Sequence, residues 1–419
     1  MPKANVTVPQ DLTVPMAESR TARGVLSASL GALLRAAPSL PPPPGAPARF
    51  IKQWAELARL LRQLARANPG ALASVFRWTH VSTLARCISR GHRRDFAVAA
   101  EYLTLVVFEL WALGVLDRPI ELQDFARRIV TLPRRATWSC PAEVRVLRFE
   151  GPKLLGLDAD GRPVCTSVRD AVSAGTDAQL ESTAHALHGG LTLALEDNNP
   201  IAELEAHPDK FGNALSLGDR SADDWVQTLD EALGIIEARM PTLFAEMQLY
   251  IQRVVPVGFD DHQHLSASYA EAIGTVYLSL HPNAMVMAEA LIHEFSHNKL
   301  NALFEIDRVL LNAFTSMHSS PVRPDPRPLH GVLLAAHAFL PVAKLYERLI
   351  EAKHPWSSRP DFRRRLAQIV ASNHEAVTTV VEAAQPTTVG RGLVDELARL
   401  DAHFMERYYD AGTAATDLG

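Results

Sequence analysis

The sequence predicts an α+β protein, predominantly helical, with an N-terminal helical lobe, a small antiparallel β unit and a C-terminal helical core. Three observations predict it. Apolar residues recur at helical spacing across residues 51–116 and again from residue 222 onward. Between these regions, short runs rich in β-formers are separated by turn residues, most plainly Asp158-Ala159-Asp160-Gly161. Further on, an alternating run at 275–280 feeds into a long apolar segment at 285–304, the order of a compact strand-to-helix core.

Taken in order, residues 1–50 read as a flexible Pro-rich leader, because the prolines of 39–49 fix an extended backbone and remove donors. Residues 51–67 predict an amphipathic helix, 71–89 a second and 96–116 a long apolar third, together a helical lobe over 51–134. Arg59, Arg62 and Arg66 share a solvated face of the first. Past Arg134 and Arg135 the pattern changes to strands at 144–149, 153–157 and 162–166, with another at 191–195, giving a small β-rich unit over 135–220. The loop Glu196-Asp197-Asn198-Asn199-Pro200 reads as turn chemistry. Residues 221–419 then form the helical core. It opens with a helix over 222–253 that Pro241 divides, with Asp223 and Asp224 complementing the dipole at its start. Residues 317–329 are dense in proline and predict a fixed, extended loop. Helices follow at 329–349, 360–383 and 388–407.

Composition narrows the function classes. A formal net charge of −5 over 419 residues gives no basic field for nucleic acid. Cys87, Cys140 and Cys165 are widely spaced without a Cys-x-x-Cys pair, which predicts free thiols in a reducing cytoplasm. There is no apolar signal core, and no uninterrupted apolar run of roughly 18 residues, so no membrane partner is expected. Oligomeric state is left open.

The chemistry concentrates at His293-Glu294-Phe295-Ser296-His297. Two histidines four residues apart on a helix project from one face, about 6 Å apart along the axis, so both imidazoles reach one ion. Imidazole suits zinc, iron, copper or nickel, and His-Glu-x-x-His on a helix is also the zinc-peptidase signature, with the Glu as general base. A catalytic metal needs a third protein ligand, for which Glu305, Asp325, His318, His330, His337 and Glu347 are candidates. On an unbroken helix Glu305 lies about 12 Å past His297, so only a break near Leu303 would bring it back. His330 and His337 are about 10 Å apart along a helix, so at most one of them binds directly. His185 and His188 are isolated. His262 and His264 are two apart, which puts them on one face of a strand but not of a helix.

The run from Gly274 through Leu303, then Pro321-Val322-Arg323-Pro324-Asp325-Pro326-Arg327-Pro328-Leu329-His330-Gly331-Val332-Leu333, His337-Ala338-Phe339-Leu340-Pro341-Val342 and Thr388-Val389-Gly390-Arg391-Gly392-Leu393, resembles the HExxH-motif peptide-modification family. The resemblance covers roughly the last half of the chain. It implies an iron(II)- and 2-oxoglutarate-dependent oxygenase, using O2, that hydroxylates a side-chain β-carbon in a ribosomally synthesised precursor peptide. It further implies His293 and His297 as iron ligands, His337 as the third, Arg327 as partner to a 2-oxoglutarate carboxylate, and Glu294 as an orienting group. Non-haem oxygenases usually present two histidines and one carboxylate, so Glu305 or another acid stays open as the third ligand. The alternative is a zinc metallopeptidase with Glu294 as general base toward a zinc-bound water.

Overall fold

The computed structural model describes residues 8–17, 20–92, 95–131, 136–204, 206–207, 210–320 and 323–409. Among them 12 α-helices and several small sheets make an α+β fold that is predominantly helical. Arg134, Arg135, Pro321 and Val322 lie outside the described residues.

Two apolar cores organise the chain. The first runs from Leu33 to Val172 and centres on large rings such as Phe76, Phe108, Trp111 and Trp138. Its helix Ala48–Ala67 buries Phe50, Trp54, Leu57, Leu61 and Leu64 at helical spacing and leaves Arg59, Arg62 and Arg66 exposed. The helix expected over 71–89 is two, Pro69–Arg77 and Thr79–Arg90, because Trp78 between them is extended, at φ −63° and ψ 119°. Its indole N–H donates to the Val130 carbonyl, so the break is fixed by a strand far along the chain. A four-stranded antiparallel sheet joins Ile120–Leu122, Val146–Glu150, Lys153–Leu157 and Pro163–Val168, and a three-stranded one joins Arg128–Thr131, Ala136–Ser139 and Leu180–Ser182. Strands from both sides of residue 134 pair with one another, so the lobe and the β unit are one packed body.

The second core gathers residues from Leu12 to Leu26 and from Leu187 to Phe404. Its sheet is ordered Ser266–Ala267, Thr275–Leu280, Arg253–Phe259, Thr192–Ala194 and Ala184–Ala186. The inner three strands are parallel and the two edges antiparallel. This sheet crosses the expected boundary at 220. Helices Ala222–Arg239 and Pro241–Tyr250 show the predicted division at Pro241, and Ser221 with Asp224 closes a capping box at the start. Helices Leu329–Glu351, Pro360–Ala383 and Thr388–Tyr408 complete it. Leu329–Glu351 is long and apolar enough to cross a membrane by length and composition, but its apolar window is mostly buried inside the fold.

Residues 8–17 and 20–50 are not the expected flexible leader. Helix Thr21–Ala36 buries Ala22, Val25, Leu26 and Leu33 at helical spacing, a signal diluted in the sequence by Gly24, Gly31 and three serine or threonine positions. Ahead of it, Leu12 and Thr13 are fully buried. The Lys299 ammonium, itself fully buried, donates to the carbonyls of Leu12 and Thr13 and to Glu246. The Glu396 carboxylate accepts the N–H groups of Leu12, Thr13 and Val14 at 2.9–3.1 Å. The segment is thus a strap bound on both of its backbone faces. The proline-dense stretch acts as a connection after the helix.

Candidate metal centre

The helix Ala284–Phe304 carries the motif, and Asn283 caps it by accepting from Met285 N–H at 2.9 Å. Sixteen of its 21 residues are buried, so its polar side chains need partners. Most have them. Asn298 Oδ1 accepts from Gly274 N–H at 2.7 Å and its Nδ2 donates to Ser268 Oγ and the Glu294 carbonyl, which ties the helix to the sheet.

As hydrogen-bond partners, His293 and His297 meet only each other. Their Nε2 atoms lie 2.9 Å apart with ring planes at 83°, a separation that one ion with metal–nitrogen bonds of about 2.0–2.1 Å spans. Both Nδ1 atoms are buried without a hydrogen-bond partner. Burial, followed by the neighbouring His297, holds the His293 imidazole well below its ordinary range. Burial also lowers His297, with Glu294 partly opposing it. Neutral imidazole is the ligand form, so both rings are ready for a metal near neutral pH. Among the described residues, His293, Glu294 and His297 are the group whose ligand atoms all lie within 4.8 Å of one another.

Glu294 is almost wholly buried, and its Oε1 accepts from Ser266 Oγ, on the edge strand, at 2.5 Å. Its Oε2 has no partner. His337 is buried on helix Leu329–Glu351, again with both ring nitrogens unpartnered. Burial, then Lys299 and His297, hold its imidazole well below the ordinary range, and His337 in turn acts on His293. Pro341, four residues on, has no N–H to give the His337 carbonyl, so the helix loses a rung where the ring projects. The ring atoms of His337 lie outside the 4.8 Å group. A cation at the Nε2 atoms of His293 and His297 would replace their contact with each other, and His337 keeps two buried nitrogens whose unmet bonding is costly.

The other candidates are engaged elsewhere. Helix Ala284–Phe304 runs unbroken, and Glu305 beyond it pairs with Arg86 at 2.6 Å and Arg90 at 3.3 Å and accepts from Ser29 Oγ. Glu347 is fully buried among Lys344, His403 and Arg407. His318 contacts Ser316, and His330 stacks between Phe304 and Phe314. The expected proline loop is a hairpin, Met317–Ser320 with Arg323–Pro328. Prolines at alternate positions put every missing N–H on one edge of its second strand. Arg327 sits there with its Nε 3.0 Å from Asp325 Oδ2, an ion pair outside hydrogen-bond alignment. It is not among the residues lining the cavity beside the histidines. The co-substrate role implied for Arg327 rests on the resemblance alone.

That cavity, of about 720 Å³, is lined by His293, Phe339, Ser266 and His264, and by Arg359 and Arg365 at and within the helix Pro360–Ala383. Phe339 packs on the His293 ring, centroids 4.5 Å apart. His264 also acts on His293, whereas His262 is almost fully exposed. Among the acids and bases lining it that sequence reasoning passed over are Glu289, Tyr346 and Arg365. Glu289 alone had a local signal, being one turn before His293 on the same face.

No protein-family model matches this chain, and no curated protein matches it.

Proposed function

We propose that this protein is an iron(II)- and 2-oxoglutarate-dependent oxygenase that hydroxylates a side-chain β-carbon in a ribosomally synthesised precursor peptide. The observation that carries it is the pair His293 and His297, whose Nε2 atoms lie 2.9 Å apart in one group with Glu294, together with a buried His337 whose two ring nitrogens lack partners and a cavity, lined by His293, large enough for a co-substrate and a peptide side chain. The resemblance of the motif region to the HExxH-motif peptide-modification family points the same way. Three protein ligands leave iron(II) open positions for a keto acid and O2, and the bound metal supplies the oxidising chemistry. The chain's own residues do the rest. His293 and His297 present their Nε2 atoms from a rigid helix. Ser266 fixes the Glu294 carboxylate, which makes Glu294 an orienting group next to the first histidine. Phe339 packs on the His293 ring and excludes water from that side.

One observation favours a second reading, a zinc metallopeptidase. Glu294 falls in the same 4.8 Å group as both histidines and keeps one oxygen unpartnered, as a general base would. Anaerobic reconstitution with iron(II), then admission of air with 2-oxoglutarate and peptide, separates the two. The oxygenase forms succinate and a peptide heavier by one oxygen atom; cleaved peptide without succinate is the result that overturns it.

A further inference from the structure

Resting on the oxygenase reading, we infer that Arg365 and Tyr346 are the carboxylate-binding pair of the cavity, and that Glu289 occupies this pair until a co-substrate carboxylate replaces it. Three elements bring the trio together. Glu289 lies one turn before His293 on the metal helix, Tyr346 on helix Leu329–Glu351 and Arg365 on helix Pro360–Ala383. Arg365 donates through Nε at 3.1 Å and Nη2 at 2.7 Å to Glu289 Oε2, while the Tyr346 hydroxyl donates to Glu289 Oε1. A guanidinium on one oxygen and a phenol on the other is a receptor for a carboxylate, and nothing in it is particular to a glutamate side chain.

Position makes the receptor useful. All three residues line the cavity with His293, and Arg365 is close enough to depress the His293 imidazole. The one-turn offset from Glu289 to His293, about 6 Å, is of the order of the length of a five-carbon diacid. A keto-acid end at the histidines would therefore leave the far carboxylate at Arg365. The Arg365 side chain is 44 % exposed and the Glu289 side chain 12 %, so the guanidinium is open to an incoming ligand while its present partner sits behind it. The cavity's other guanidinium, Arg359, is committed to Asp361 through two bonds. Exchange is carboxylate for carboxylate and moves no proton. Glu289 is then a built-in competitor that lowers the apparent affinity of the empty site and keeps Arg365 neutralised between turnovers.

The test is calorimetric titration of 2-oxoglutarate, without O2, into the full chain loaded with iron(II), with metal content and thermal midpoint recorded for each variant. Arg365→Ala is expected to raise Kd on the order of 10- to 100-fold, and Arg365→Lys to recover part of that. Tyr346→Phe should raise it about 3- to 10-fold. Glu289→Ala should lower Kd at least about threefold. A wild-type Kd in metal-loaded Arg365→Ala overturns the inference, as does weaker binding in Glu289→Ala, which would make Glu289 an organiser and not a competitor. If Arg365→Ala fails to fold, the Lys and Tyr346→Phe variants decide by the same criterion. Wild type that forms succinate while Arg365 variants bind normally sinks this inference alone; wild type that neither binds 2-oxoglutarate nor forms succinate sinks the oxygenase reading with it.

Discussion

At the scale of single residues, the site depends on which polar groups the interior leaves unpartnered. His293→Ala and His297→Ala are each expected to abolish stoichiometric metal binding without loss of helical circular dichroism, read by elemental analysis of the purified variants. His337→Ala should weaken metal affinity far more than His330→Ala, because His330 is already held between two phenylalanines whereas both His337 nitrogens are orphaned; a competitive chelator titration ranks them. Glu305→Ala should behave in the opposite manner. It leaves Arg86, only 5 % exposed, without its carboxylate, so stability in urea should fall by about 3–5 kcal/mol with metal affinity intact. Equal metal loss in Glu305→Ala and His337→Ala would return the acid to the ligand set.

At the scale of elements, the strap of residues 8–14 does for the metal helix what a capping layer does for a core. Deleting residues 1–14 would leave Lys299 and Glu396 buried and short of partners, and the expected cost is about 3–5 kcal/mol in a denaturant melt. An unchanged midpoint would mean that the strap is only laid on the surface. The close approach is specific at Gly392, where an added Cβ would stand 2.1 Å from Val8 Cγ1 and 2.6 Å from the Pro9 carbonyl. Gly392→Ala should therefore loosen the strap and cost about 1–3 kcal/mol. The helices themselves were readable because each is a local repeat. The break at Pro241 is written in adjacent residues, whereas the break at Trp78 and the helix Thr21–Ala36 depend on what packs against them.

At the scale of the whole molecule, the two cores meet through the loop that the sequence presented as a turn. Arg253, 1 % exposed, contacts His80 Nε2 at 2.8 Å and donates to Asp197 at 2.7 Å, and Asn198 donates to the His80 carbonyl. Glu101, on the neighbouring helix, is pushed up to about 7 by burial, against a hydrogen bond from Asn198 that lowers it. A carboxyl raised in the folded state contributes stability that is complete below its ordinary value near 4.5 and is lost as pH rises through about 7. Glu101→Gln removes that dependence. Relative to wild type it should be close to neutral at pH 5 and gain about 1–3 kcal/mol by pH 8, followed as the difference in urea midpoints. A pH-independent difference would place Glu101 outside this linkage.

What the sequence determined by itself is everything that fits within one or two turns of chain: the strand-to-helix core, the boundaries of the metal helix, and the histidine pair whose i, i+4 spacing puts both rings on one face. What only the tertiary structure decided is each group's partner across long separations. Glu305 looked like a spare acid until helix Thr79–Arg90 brought Arg86 to it, 219 residues away in the chain. Arg327 had the right chemistry in a rigid loop, but the packing leaves it outside the cavity that His293 lines. Arg365 had no motif at all, and became a cavity residue because three helices pack so that residues 289, 346 and 365 meet. The physical reason is the same in each case. Spacing along a helix sets which side chains share a face, but a charged group's role is set by whichever opposite charge the packing brings within reach, and packing is a property of the folded chain.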